Sequence, residues 1–556
     1  MDASGEMKAL VKNVTEEVTA AAIVKQAVSV PSGPIYRLVT RGGGSEIERS
    51  GSDSRFLVPD SWASALRLDG VLADGGLVIS VPTEQGRRSY AIDELAQVRE
   101  LAALEQTDAV TAAGNRLVIF GRAGLKVRNT ETTEVTYGTS VRVAEASSNR
   151  AGDTIAFVTR PSPYQDALLW RTGTPAVPLV TGGPSVRPAK VASCGDGCHV
   201  SVLVRFPRDR QILVFETSRL EQIVVVEHAS NIFAWTERCN LLHLDDHWPY
   251  ARLHRTDPGG ETLSAGYVRG ATTRLLPSAD GTHVHASSVD HPPSVLPLAE
   301  VLVEDDGSLP AAGTEVRTRN GTLRILRRRH RRGRSDRDVF LLHGGPYGLW
   351  TPCWDPIVDL LGRLSLEVHQ LEAPYTAALQ GRHAQFNSGD FGAVDAESVA
   401  EAITKVSAGS RLAPLILGHS YGGYLGARAA QLIPGRVGGL FLMSSIWQAN
   451  DLARLRDDDR ENRSPLSAFL AHAFPRGSAI PATDLPRHVP VHVVHGSRDP
   501  IVPVEFAVAA TSAIPNATLT ILPGEGHIPQ RPAAVSSTLH DIANWVERTN
   551  NLVWSH

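Results

Sequence analysis

The chain has 556 residues, 42% hydrophobic and 21% charged, values ordinary for a soluble protein with room for two or more folded domains. A formal net charge of -4 excludes a general attraction to nucleic acid or to anionic membranes. Four scattered cysteines are too few for a disulfide scaffold, and no run approaches the roughly 18 apolar residues of a membrane span.

Glu6, Glu16 and Glu17 lie where a secretory signal would need an apolar stretch, so a cytoplasmic protein is expected. Residues 8–28 place Leu10, Val11, Val14, Val18, Ala21 and Ala22 on one stripe, and the spacing predicts an N-terminal helical segment over 1–28.

Residues 29–310 read as β-rich. Turn marks recur at Ser32-Gly33, Asp74-Gly75-Gly76, Gly114-Asn115, Gly152-Asp153, Gly195-Asp196-Gly197, Arg238-Cys239-Asn240 and Asp280-Gly281. They stand roughly 40 residues apart, the period of a four-stranded propeller blade. Runs such as Leu117-Val118-Ile119-Phe120 and Ile212-Leu213-Val214-Phe215 fit the strands between them. The marks predict an all-β propeller of seven blades, with six as the alternative count and a non-repetitive pair of sandwiches as the alternative fold. Cys194 and Cys198 flank Gly195-Asp196-Gly197, a spacing compatible with zinc or a local disulfide. No second cysteine or histidine pair at finger spacing completes a site, so neither metal nor cofactor is expected.

A polar linker, Glu304-Asp305-Asp306-Gly307-Ser308 with Pro310-Ala311-Ala312-Gly313, opens a different pattern over 311–556. The arginine-rich stretch 327–334 lies between Leu323-Arg324-Ile325-Leu326 and the next apolar run, and reads as a solvated hairpin turn. Predicted strands at 338–342, 366–371, 413–418, 438–444, 489–495 and 518–522 alternate with predicted helices at 354–363, 393–408, 423–433, 504–513 and 533–548. Such alternation predicts a mainly parallel sheet with helices on both faces, and places function at the strands' carboxyl ends.

The candidate chemistry falls at those ends. Gly418-His419-Ser420-Tyr421-Gly422 follows an apolar strand and precedes an apolar helical face, as in a G-x-S-x-G nucleophile elbow. Asp499 follows Val489–Val494 by a few residues, and His527 follows Leu519-Thr520-Ile521-Leu522 within Gly524-Glu525-Gly526-His527. A serine hydroxyl needs a neutral imidazole to take its proton, and a buried carboxylate to orient and stabilise that imidazole. The order Ser420, Asp499, His527 is that of α/β-hydrolases. His343-Gly344-Gly345-Pro346 at the end of another strand predicts one oxyanion donor near His343 and Gly344, with the Tyr421 N–H as the other. Tyr347, Trp350, Trp354 and Trp447 are candidate linings of an apolar substrate pocket, with core or rim packing as the alternative.

Taken together, His343-Gly344-Gly345-Pro346, Gly389-Asp390-Phe391-Gly392 with Asp395, the Ser420 elbow, His495-Gly496 with Asp499 and Gly524-Glu525-Gly526-His527 resemble the prolyl oligopeptidase family of serine peptidases. The resemblance is nearest to its acylaminoacyl-peptidase and dipeptidyl-peptidase-like branch. It implies an α/β-hydrolase domain joined to a propeller that admits short peptides to a site between the two. It also implies hydrolysis through an acyl-enzyme, and members of the family often form homo-oligomers. Pro374-Tyr375-Thr376-Ala377-Ala378 departs from the family's Arg-Gly-Ser segment, and Glu105 and Glu131 do not form its paired glutamates. The expected substrate is therefore a short peptide or a small ester or amide, with no nucleic-acid or membrane partner. The alternatives are an esterase or acyl-transfer hydrolase on the same residues, and a non-catalytic propeller binding protein.

Overall fold

The computed structural model describes residues 23–550, apart from short stretches between elements and the longer stretches 304–312, 329–334, 373–391 and 448–484. The described residues fall into two compact units that divide near residue 310.

The first unit is a succession of antiparallel sheets. Six have at least four strands, from the sheet that begins with Ile23–Ser29 to the one that begins with Ala229–Trp235. The last, Ala271–Ser278, Gly281–Ser287 and Ser294–Pro297, has three. The ends of the succession meet: Arg274 Nη1 donates to the Ala27 carbonyl at 2.6 Å, and Ala27, Ile35 and Val39 pack with Leu276 and Val295. That closure is what makes a propeller, because it leaves no sheet without a neighbour on either side. The expected count of seven blades is corrected to six, the alternative count, with a three-stranded sheet beside them. The chain that would supply a fourth strand to that sheet instead passes through a single helical turn at Leu298–Val301. It then lays Leu302–Val303 on the edge of the sixth sheet, Tyr267 opposite Val303.

Neighbouring blades adhere through inward-facing apolar residues. Leu203, Ile212 and Val214 of the fifth sheet pack with Phe233, Trp235 and Leu241 of the sixth. Each such buried side chain contributes about 1.5–3 kcal/mol relative to exposure. The helix expected over residues 8–28 is corrected where it can be judged. Ile23–Ser29 is the first strand of the first blade and pairs with Ile35–Arg41. Its order, two apolar then two polar residues (Ile23-Val24-Lys25-Gln26-Ala27-Val28), carries no strict alternation and fits a helical stripe, so the partner strand decides. The rest of that segment lies outside the described residues.

The second unit carries one eight-stranded sheet. Its strands are β1 (Gly313–Thr318), β2 (Gly321–Arg328), β3 (Asp338–Leu342), β4 (Glu367–Glu372), β5 (Leu415–His419), β6 (Gly439–Met443), β7 (Val491–Gly496) and β8 (Ala517–Leu522). Their order across the sheet is β1-β2-β4-β3-β5-β6-β7-β8. β3 to β8 run parallel, while β1 and β2 form an antiparallel hairpin and β2 meets β4 antiparallel. The arginine-rich stretch is therefore corrected in part: Arg327 and Arg328 belong to β2. There Arg327 pairs with Glu367, and Arg328 donates to Gln370 Oε1 at 3.1 Å.

Helices α1 (Pro356–Arg363), α2 (Ala393–Val406), α3 (Tyr421–Leu432), α4 (Val504–Ala513) and α5 (Pro532–Asn550) cover the sheet. Strand residues alternate between two cores. Phe340, Leu342 and Ile416 face Ala396 and Ile403 of α2, Leu425 of α3 and Ala507 of α4. Val339, Leu341 and Leu417 face Leu361 of α1 and Leu539 and Trp545 of α5. With apolar runs Val339–Leu342 and Leu415–Leu417 at consecutive positions, β3 and β5 read as strands buried on both faces, as a helix-covered parallel sheet provides. α1 starts cleanly because Asp355 accepts from the Ile357 and Val358 amides and Pro356 needs no amide partner.

Candidate active site

Ser420 sits between β5 and α3 with φ 53° and ψ -116°, a left-sided conformation that a non-glycine residue adopts only where its surroundings enforce it. The glycines around it allow the turn to close. A Cβ on Gly418 would lie 2.5 Å from the Gly422 carbonyl oxygen, and one on Gly422 would lie 2.1 Å from that of Leu342. The Ser420 amide donates to the Met443 carbonyl at 2.8 Å, which fixes the turn to β6.

The loops after β7 and β8 are stitched to each other. Ser497 N donates to the Leu522 carbonyl at 3.0 Å, Arg498 N to the Glu525 carbonyl at 2.8 Å, and Gly524 N to Ser497 Oγ at 2.8 Å. This brings residues 28 apart in sequence together: His527 Nδ1 donates to Asp499 Oδ2 at 2.7 Å. The other oxygen of Asp499 accepts from the Ile501 and Val502 amides at 2.8 and 3.0 Å. Burial alone would raise the Asp499 carboxyl. The bonds from His495 and His527 and from the Val502 amide overcome that and hold it far below the usual carboxylate range. The group is an anion at any working pH, aimed at the imidazole.

His419 links this pair to the serine. Its Nε2 donates to the His527 carbonyl at 3.1 Å, and its ring centroid is 4.9 Å from that of His527. Burial, then the neighbouring His527, pushes its pKa down to about 4, so His419 stays neutral. Gly344 completes the wall. A Cβ there would approach His419 Nδ1 to 2.6 Å and Ser420 Cβ to 3.1 Å, so the loop after β3 lies against the serine. His343 is held by the buried Glu372 at the end of β4, Nε2 to Oε2 at 2.9 Å, and Glu372 also receives the Trp350 amide.

The aromatic candidates separate. Trp350 is partly buried and sits edge-on to His343, with ring centroids 5.6 Å apart. Trp354 is half-buried just before α1. Trp447 is corrected from pocket lining to core: it is 3% exposed and packs in the cluster that holds Tyr421 and Tyr424. Tyr347 and residues 389–391 lie outside the described residues. Asp395, carried by the same sequence motif, is fully buried at the start of α2 and accepts from the Tyr421 hydroxyl at 2.7 Å, so it braces the start of α3.

Sequence reasoning missed His419, His495 and Glu372 as members of this neighbourhood. The first two were visible as histidines at strand ends, whereas Glu372 ends a strand of mixed polarity, Glu367–Glu372, and carries no motif. No helix among the described residues is long and apolar enough to cross a membrane.

No protein-family model matches the sequence, and no curated protein sequence matches it. Solved structures do match, over nearly the whole chain. The acylaminoacyl peptidase of Pyrococcus horikoshii is 11% identical with a TM-score of 0.68, covering 98% of each chain. A puromycin hydrolase is 14% identical with a TM-score of 0.71, covering 97% of this chain and 96% of its own. A puromycin-hydrolyzing peptidase of Mycobacterium tuberculosis is 14% identical with a TM-score of 0.72, covering 96% of this chain and 95% of its own. The chain has the fold of these hydrolases. At such identity the likeness speaks for the fold alone.

Proposed function

We propose that the chain is a serine peptidase of the prolyl oligopeptidase family that hydrolyses short peptides through an acyl-enzyme intermediate. The observation that carries this reading is the 2.7 Å bond from His527 to a buried, ionised Asp499; a serine at φ 53° on a strand-to-helix turn follows His419, whose ring lies 4.9 Å from that of His527. In the proposed reaction His527 Nε2 takes the Ser420 hydroxyl proton as Oγ attacks the carbonyl carbon. Asp499 keeps the proton of His527 on Nδ1 and stabilises the imidazolium. The Tyr421 amide and the backbone at His343–Gly344 would donate to the oxyanion, and the first turn of α3 adds its dipole. Collapse of the tetrahedral adduct returns the proton from His527 to the leaving amine. Water then repeats the cycle on the ester.

Digestion of a defined peptide library with free and blocked N-termini, read by mass spectrometry, tests the reading. Cleavage of short peptides is expected, with a loss on the order of 10⁶-fold in kcat for Ser420→Ala. Turnover of simple aryl esters with every peptide left intact would replace the peptidase by an esterase or acyl transferase.

A further inference from the structure

The propeller gathers two of the four cysteines of the chain onto one carboxylate, and a third lies on the same turn. Cys194 and Cys198 flank the turn between the first two strands of the fifth sheet, and Cys239 lies in the equivalent turn of the sixth. Cys194 Sγ is 2.7 Å from Asp196 Oδ1, and Cys239 Sγ is 3.3 Å from Asp196 Oδ2. The ligand atoms of these three residues all lie within 4.8 Å of one another, and the Cys198 backbone amide donates to the same carboxylate at 2.9 Å. Two turns from different blades, more than 40 positions apart in sequence, thus present two sulfurs and an oxygen to one point, with the exposed Cys198 on the first of those turns.

We propose that Cys194, Cys198, Cys239 and Asp196 bind a thiophilic divalent cation, zinc above all, which staples the fifth blade to the sixth. Tetrahedral zinc bonds sulfur at about 2.3 Å and carboxylate oxygen at about 2.0–2.2 Å, so its ligands stand roughly 3.5–4 Å apart. Cys194, Asp196 and Cys239 need only small side-chain rotations to reach that spacing, and the exposed Cys198 side chain turns in from solvent as the fourth ligand. Three thiolates and a carboxylate carry the same formal charge as a four-cysteine zinc site, and the Cys-x-x-x-Cys spacing is within the range used by such sites.

The surroundings suit a fixed ligand set. The His199 amide donates to Cys194 Sγ at 3.0 Å, the kind of outer contact that stabilises a metal thiolate. The first turn is tied down by Thr217 Oγ1, which donates to the Gly197 carbonyl at 2.6 Å. Cys239 is held at φ 53° between Thr236 and Asn240, whose backbone and side-chain bonds close its turn. Cys194 is buried while Asp196 and Cys198 are exposed, so a cation can enter from solvent and finish with its sulfur side covered. None of these residues belongs to the catalytic unit, so the proposal stands or falls apart from the assignment of Ser420.

The test uses the full-length chain, purified under reductant without chelator, with bound zinc measured by plasma mass spectrometry. About one zinc per chain is expected. The zinc-freed chain titrated with cobalt(II) should give the intense visible bands of a tetrahedral ion and a thiolate charge-transfer band, both abolished by zinc. Cys239→Ser and Asp196→Asn should each weaken cobalt binding by more than the roughly 10–100-fold that loss of a contact behind a ligand costs, while Cys353→Ser leaves it unchanged. Asp196→Asn keeps the thiols and the shape of the turn, so it reads the site even if a cysteine variant does not fold. A weak octahedral cobalt spectrum, or undiminished binding by Cys239→Ser, would overturn the proposal. So would a chain isolated two hydrogens light with Cys194 and Cys239 joined as a disulfide.

Discussion

Replacing Asp499 with Asn separates proton control from folding at the proposed active site. The amide oxygen can keep both backbone bonds now made by Oδ1, from Ile501 N at 2.8 Å and Val502 N at 3.0 Å. The amide nitrogen then faces His527 Nδ1 across the present 2.7 Å contact. Two N–H groups cannot point at each other there. Flipping the amide would only set its NH2 against the two backbone amides. The histidine is therefore driven to the tautomer that carries its proton on Nε2, where it cannot accept one from Ser420. In another serine peptidase the same exchange lowers kcat by about 10⁴-fold. At about 1.36 kcal/mol per tenfold this is a loss of about 5.5 kcal/mol of transition-state stabilisation. The assay is kcat on the best aminoacyl anilide, alongside a thermal unfolding midpoint that should move by only a few degrees. A folded Asp499→Asn protein that retains more than a tenth of the parent kcat would refute the role given to this carboxylate.

Three further outcomes follow from the packing. His243 and His419 are buried and neutral, each with its pKa lowered from 6.5 to about 4, so the unfolded chain binds the extra protons. Their contribution is complete above pH 6.5 and is lost as the pH falls towards 4. It amounts to about 2 kcal/mol each by pH 5, and unfolding midpoints that stay level from pH 7 to 5 would contradict it. Tyr421→Phe removes the donor to the buried Asp395 but keeps the backbone amide. It should cost about 1.5–3 kcal/mol in urea unfolding with kcat changed only a few-fold, and an unchanged midpoint would count against the brace. Gly422→Ala would set a methyl 2.1 Å from a backbone oxygen that cannot turn away, so a loss of at least about 3 kcal/mol or failure to fold is expected. Normal stability of that variant would mean the turn is not closed as described.

Where the sequence spoke clearly, local chemistry and local structure coincide. The run Asp338–Leu342 and the helix Val504–Ala513 fall where apolar spacing predicts them, because each is one uninterrupted pattern between breakers. The Ser420 turn is legible because its glycines are dictated by backbone contacts within a few residues and by the strand just before it. The hairpin β1–β2 is less so: Gly313–Thr318 alternates Thr314, Val316 and Thr318 with Glu315 and Arg317 at a sheet edge, a weak signal without its partner. The strand Ile23–Ser29 defeats a helical reading because only pairing with Ile35–Arg41 distinguishes the two periods. Long-range juxtapositions leave no local trace at all. His343 with Glu372, His419 with His527 and Cys239 with Asp196 each join residues that the chain separates by 29, 108 and 43 positions.

The central claim is that Ser420 is the nucleophile of a working hydrolase site. A fluorophosphonate probe, followed by proteolytic mapping of the adduct, tests it most directly. One phosphonyl group on the peptide that contains Ser420, lost in Ser420→Ala, is the predicted result. An intact chain that takes no label, or takes it on a different serine, would contradict the account.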